Sequence, residues 1–120
     1  NDVLYNYIIQ NENIIGENII ILGDFNNVLY NSDEVFEIFN SEENFIIADS
    51  PIASGSSKYW SFPDFGESGS HIDHIIISNE LLGFESITKT VMIDESLIGY
   101  FSTYDAYISD HRPIGISLIY

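Results

Sequence analysis

Hydrophobic and polar positions along the chain predict short helices and strands in alternation. Apolar residues recur at helical spacing over positions 3–8, which predicts a helix that begins at Asp2, frays over 10–13 and is broken at Gly16. Apolar runs rich in β-branched residues predict strands at 18–22, 45–48 and 72–78. Looser patterns predict an aromatic strand at 58–62 and further strands at 86–93 and 113–120.

The polar segments between these runs supply the predicted turns and a second helix. Ser32 is the predicted N-cap of that helix, whose inner face carries Phe36 and Phe39. Segments 51–57 and 63–70 are predicted as a loop and a turn, and 79–82 as a helical turn. The order of elements predicts the α/β (α+β) class, with one mostly antiparallel mixed sheet flanked by helices.

Length and composition predict that residues 1–120 form one ordinary globular domain. The chain is 45% hydrophobic, which is ordinary for a globular protein, and contains no cysteine, so thiol chemistry is excluded. Its unbroken apolar runs are only a few residues long, against the roughly 20 residues that a membrane-spanning helix needs.

The net charge of the chain indicates which kinds of partner it is suited to bind. Three Lys and Arg residues stand against 19 Asp and Glu, for a net charge of −16. This balance argues against non-specific binding of duplex DNA, because that binding depends on basic side chains, here only Lys58, Lys89 and Arg112. The same acidity suits a divalent cation, through which an acidic site can still bind a phosphate.

Three polar clusters lie at the ends of predicted strands or within one. They are Asp24 with Asn26, Asp73 with its neighbouring histidine, and Asp110 with His111. Each has a purely structural alternative: the first is also a typical turn, the second also suits a sheet edge, and a lone histidine often lies at the surface. Alternation places Asp73 on an apolar strand face, where a carboxylate needs a partner.

A zinc site built from His71, Asp73 and His74 is disfavoured. If these residues form a strand, the two histidine side chains point to opposite faces.

Three motifs in order resemble the endonuclease/exonuclease/phosphatase superfamily, which has the DNase I-like fold. They are Gly-Asp-Phe-Asn at 23–26, Ile-Asp-His at 72–74 and Ser-Asp-His-Arg-Pro at 109–113. The aromatic run at 59–62 falls where that family commonly has an aromatic strand before its Ile-Asp-His motif. The resemblance covers nearly the whole chain.

The resemblance implies a metal-dependent phosphoesterase that hydrolyses a phosphodiester or phosphomonoester by in-line attack of water. It implies that Asp24 orients or deprotonates the water and Asn26 contacts the scissile phosphate. It further implies that Asp73 orients His111, which contacts the phosphate oxygens. Asp110 and Asp24 are the implied carboxylates for Mg²⁺ or Mn²⁺. Substrates of the family include DNA, RNA, inositol phosphates and sphingomyelin-type lipids.

One departure from the family limits what this chain is expected to do alone. The family domain is a two-sheet sandwich whose N-terminal half supplies a metal-binding glutamate and a phosphate-contacting asparagine, and neither motif occurs here. The chain therefore resembles the C-terminal half, for which we expect negligible activity in isolation. We also expect an exposed apolar sheet face that binds a missing half or self-associates. The alternative function is a non-catalytic half-domain that acts as a binding or assembly module.

Overall fold

The computed structural model describes residues 2–30, 36–39, 44–63 and 69–119. The helices are α1 (Asp2–Gln10), α2 (Glu12–Ile15), α3 (Ser50–Ala53) and α4 (Phe101–Tyr107). The strands are β1 (Ile20–Asp24), β2 (Phe45–Ile47), β3 (Asp73–Ser78), β4 (Glu85–Thr90) and β5 (Ile114–Ile119). Short 3-10 turns occupy Glu37–Phe39, Ser57–Tyr59, Asn79–Gly83 and Ile93–Ser96.

The strands form two antiparallel sheets. The first has the order β1-β3-β2, and the second pairs β4 with β5. The mixed helix-and-strand class is confirmed, but the expectation of one sheet is wrong for the described residues. Alternation identifies strands without identifying their partners, and β4 and β5 hydrogen-bond to each other while β3 pairs with β1 and β2.

Strand β3 is the centre of the fold because both of its faces are buried. Ile76 packs with α1 and the 36–39 segment in one core. Ile75 and Ile77 point the other way, against Leu81 and half-buried residues of β5. Helical segments therefore cover one face of β3, and residues of the second sheet lie against the other.

Several predicted elements differ in the structure. The loop predicted at 51–57 begins with α3, because Pro51 fits the first helical turn, where its missing N–H is not needed. The aromatic strand predicted at 58–62 is replaced by the 3-10 turn Ser57–Tyr59, capped by the Ser56 hydroxyl, and by a single bridge between Phe62 and Ser70. Helix α4 was not predicted.

Two further predictions are affected by what the structure describes. The N-cap predicted at Ser32 lies outside the described residues, and the part of that helix that is described forms the 3-10 turn Glu37–Phe39. Within the described ranges, the helices are all too short or too polar to cross a membrane.

Candidate functional site

Asp24 and Asp73 lie opposite each other at one end of the first sheet. Asp24 is the last residue of β1 and Asp73 the first of β3, and the two are cross-strand partners in the antiparallel register. Such partners lie about 4.5–5.5 Å apart at their Cα atoms. The pairing of β1 with β3 therefore brings two of the three sequence motifs together.

The third motif joins them through a hydrogen bond between Asp73 and His111. Asp73 Oδ2 lies 2.7 Å from His111 Nδ1, and both side chains are half-buried. The His111 ring also packs against Phe62, with ring centroids 5.1 Å apart. Because Nδ1 donates to the carboxylate, Nε2 is the ring nitrogen that can act on a ligand.

Asn26 is tied to Asp24 by two hydrogen bonds. Its backbone N–H donates to Asp24 Oδ1 at 2.7 Å, and its side-chain amide donates to Oδ2 at 3.2 Å. Asn26 has φ of 51°, a left-handed conformation that asparagine tolerates better than most residues. The Phe25 N–H donates to Ile72 O at 2.9 Å, so this loop is fixed to the segment that enters β3.

Asp24, Asp73 and His111 form a group that is close enough to hold a metal ion. One possible ligand atom from each lies within 4.8 Å of the others, and Asp24 is exposed to solvent. Asp110 is also exposed but is not a member of this group. The structure thus brings together Asp24, Asn26, Asp73 and His111, while the metal-binding role of Asp110 stays a prediction.

A second group that is close enough to hold a metal ion is fully buried and contains a residue that the sequence analysis missed. It consists of Asp49, His71 and His74. The expectation that the two histidines point apart is wrong, because β3 begins only at Asp73, so strand alternation does not apply to His71. Both rings converge on the same oxygen of Asp49.

Asp49 accepts three hydrogen bonds. His71 Nε2 lies 2.9 Å and His74 Nδ1 2.7 Å from Oδ2, and the Ile75 N–H donates to Oδ1 at 2.7 Å. Burial raises the pKa of the Asp49 carboxyl. The hydrogen bonds from His71, His74 and the Ile75 amide lower it by more, which leaves the pKa at about 2, against an ordinary value of 3.8. Asp49 is therefore ionised in the core.

The other ring nitrogens define how the histidines are protonated. The Ser61 N–H donates to His71 Nδ1 at 3.2 Å, so His71 is neutral and carries its proton on Nε2. His74 Nε2 lies 2.8 Å from the carbonyl oxygen of Asn27, which can only accept. Both ring nitrogens of His74 thus face oxygen acceptors, and a metal ion here would have to displace these hydrogen bonds.

Most of the basic side chains are already paired. Arg112 is buried and binds Asp94 through two hydrogen bonds, of 3.0 Å from Nε and 2.6 Å from Nη2. Lys58 pairs with Glu95 at 3.2 Å. Of the three cations that the sequence suggested for phosphate binding, Arg112 is thus held by an internal ion pair.

A cavity of about 340 Å³ borders the buried histidine cluster. It is lined by residues 28–30, Ala53, Trp60 and residues 69–71. The Trp60 indole N–H is buried and has no hydrogen-bond partner among the described residues. The cavity lies between the loop that follows β1 and the segment that leads into β3.

Comparisons with protein-family models, with curated proteins and with solved structures found no match to this chain.

Proposed function

We propose that this chain is part of a divalent-metal-dependent phosphoesterase of the endonuclease/exonuclease/phosphatase superfamily. The observation that carries the proposal is the 2.7 Å hydrogen bond between Asp73 and His111, next to the Asp24–Asn26 turn. These residues come from three separate motifs. A carboxylate–imidazole pair beside a second carboxylate suits phosphoryl chemistry, and this arrangement favours a catalytic role over the alternatives of a structural turn and a sheet edge.

The donor set fits a hard cation such as Mg²⁺ or Mn²⁺. Asp24 and Asp110 are exposed carboxylates, and Mg²⁺ typically binds through one or two carboxylates while keeping several waters. These two residues would hold the ion. When bound, it supplies charge neutralisation at the phosphate and at the leaving oxygen.

Side chains of this chain carry out the remaining steps of the proposed hydrolysis. Asp24 accepts the proton of the attacking water or orients it, and Asn26 donates its side-chain amide to a phosphate oxygen. Asp73 holds the His111 ring with its proton on Nδ1, so that Nε2 faces the phosphate. A protonated His111 then donates to the oxygens on which negative charge develops.

The proposed architecture is one half of a DNase I-like sandwich, with the other half supplying the remaining metal and phosphate contacts. Exposed apolar side chains such as Leu22 in β1 support a missing partner layer. The adjoining cavity suits the apolar part of a substrate, such as a base, a sugar or a lipid group.

The test is hydrolysis by the protein translated from the whole reading frame that contains these 120 residues. Wild type is compared with Asp73→Asn and His111→Gln in Mg²⁺ and in Mn²⁺, against a bis-nitrophenyl phosphate, a single-stranded DNA, an RNA and a phosphoinositide. Each variant should lose about 100-fold or more in kcat. Glu85→Gln, an exposed carboxylate at the start of β4, is the matched control and should keep wild-type turnover.

Two results would refute the proposal. One is metal-dependent turnover that is equal in wild type and both variants. The other is the absence of turnover on all four substrates in a folded, metal-bound protein, which would favour the non-catalytic binding module.

A further inference from the structure

We infer that Asp49 is a positioning residue, which holds all three segments of the candidate site in place from within the core. The inference rests on the proposed function for the identity of the site, but its geometry is independent of any substrate. Two chains of hydrogen bonds leave Asp49. One reaches the loop that carries Asp24 and Asn26, and the other reaches Asp73 and the residue after His111.

The first chain runs through His74. His74 Nδ1 lies 2.7 Å from Asp49 Oδ2, and His74 Nε2 lies 2.8 Å from the carbonyl oxygen of Asn27. Asn27 directly follows Asn26, so this bond fixes the end of the Asp24–Asn26 turn. The Phe36 ring packs edge-on against His74, with centroids 4.9 Å apart, which restricts the ring to this orientation.

The second chain runs through His71 to Ser61. Asp49 holds the proton of His71 on Nε2, which leaves Nδ1 free to accept the Ser61 N–H. The Ser61 hydroxyl oxygen then accepts the N–H groups of Ile72 and Asp73, each at 3.2 Å. The Ser61 carbonyl accepts the Arg112 N–H at 2.7 Å. Ser61 therefore binds the backbone on both sides of the Asp73–His111 pair.

Both hydrogen-bond chains depend on which atoms donate and which accept. They can therefore be tested with a side chain that has the same shape as Asp49 but different donors and acceptors. In Asp49→Asn, the amide group cannot accept from Ile75, His71 and His74 at once. If its oxygen stays on Ile75, its NH₂ faces the two rings, and His71 must carry its proton on Nδ1. That proton would oppose the Ser61 N–H and break the second chain. The size of the core would be unchanged.

The test uses the protein translated from the whole reading frame that contains these 120 residues, and the ring signals of His71, His74 and His111. Long-range ¹H–¹⁵N spectra should show His71 neutral with its proton on Nε2, His74 protonated on both nitrogens, and a downfield Nδ1 proton from His111. In Asp49→Asn, His71 should change tautomer and the His111 proton signal should move or broaden. Mn²⁺ affinity, read from line broadening near Asp24, should fall about tenfold or more, as for other residues that orient metal ligands.

Ser61→Ala and Ser78→Ala form a matched pair of variants. Both serines are buried, and each hydroxyl oxygen accepts backbone N–H groups, but Ser78 acts at the far end of β3, on Ile19. Both variants should lower the thermal midpoint. Only Ser61→Ala should alter the His111 signal and Mn²⁺ affinity, and Ser61→Thr, which keeps the hydroxyl, should restore both. If Asp49→Asn does not fold, this pair carries the test.

The possible results distinguish the positioning role of Asp49 from the proposed phosphoesterase function. If Ser61→Ala leaves the His111 signal and Mn²⁺ affinity as they are in Ser78→Ala, Asp49 and Ser61 are only structural and the inference is overturned. If the signals respond as expected but the complete protein hydrolyses no phosphoester, the proposed function fails while the positioning role stands.

Discussion

Acid should destabilise this protein through protonation of Asp49. The folded pKa of Asp49 lies at about 2, against an ordinary value of 3.8. The ionised form is therefore the one that folding favours. At about 1.4 kcal/mol per pKa unit, this preference contributes roughly 2 kcal/mol to the free energy of unfolding. The contribution is complete above the unfolded value, about half remains near pH 3, and it is lost as the pH falls through about 2.

Asp49→Asn removes this titrating carboxyl while keeping the shape of the side chain. Urea unfolding of both proteins between pH 6 and pH 2 gives the difference in the free energy of unfolding at each pH. Wild type should be the more stable protein near neutral pH, and its advantage should shrink by roughly 2 kcal/mol between pH 5 and pH 2. A difference that stays constant over this range would show that the buried carboxylate does not have a lowered pKa. The hydrogen bonds assigned from His71 and His74 to ionised Asp49 would then be wrong.

Three further outcomes are expected for the 120-residue chain. Asp24→Asn should weaken Mn²⁺ binding measured by line broadening, whereas Glu85→Gln, in the other sheet, should not. Ile76→Ala, at the centre of β3, should lower the free energy of unfolding by about 2–5 kcal/mol in urea titrations, and a loss under 1 kcal/mol would contradict its place in the core. The chain should sediment above its monomer mass of 13.6 kDa, and Leu22→Lys, on the edge strand β1, should reduce that association.

Sequence patterns predicted the strands whose side chains face a core. Strand β3 is almost wholly buried and was predicted from its run of isoleucines, and β5 was predicted from alternation. The error of one sheet in place of two arose because strand pairing depends on contacts between distant residues, such as Glu85 with Ile119. Strand alternation does not encode those contacts.

The part of the candidate site that consists of Asp24, Asn26, Asp73 and His111 was predicted because these residues stand in short sequence motifs at strand ends. Asp73 was predicted to need a partner, and the structure supplies His111. Asp49 was missed because an aspartate before Ser-Pro is a typical turn residue, and both of its histidine partners lie more than 20 positions away. The burial of all three side chains distinguishes the cluster from a turn, and burial is a tertiary property.

Among the described residues, the ion pairs include the buried charged side chains but not the exposed carboxylates of Asp24 and Asp110. Asp49 is hydrogen-bonded to His71 and His74 in the core, and Arg112 is paired with Asp94, so each buried charged residue has a partner. Lys58 is engaged by Glu95 at the surface. Among the described residues, these pairs use two of the chain's three Lys and Arg side chains, and none of the ion pairs includes Asp24 or Asp110. Under the proposed function, a divalent cation from solution compensates these exposed carboxylates and allows a phosphate to approach them.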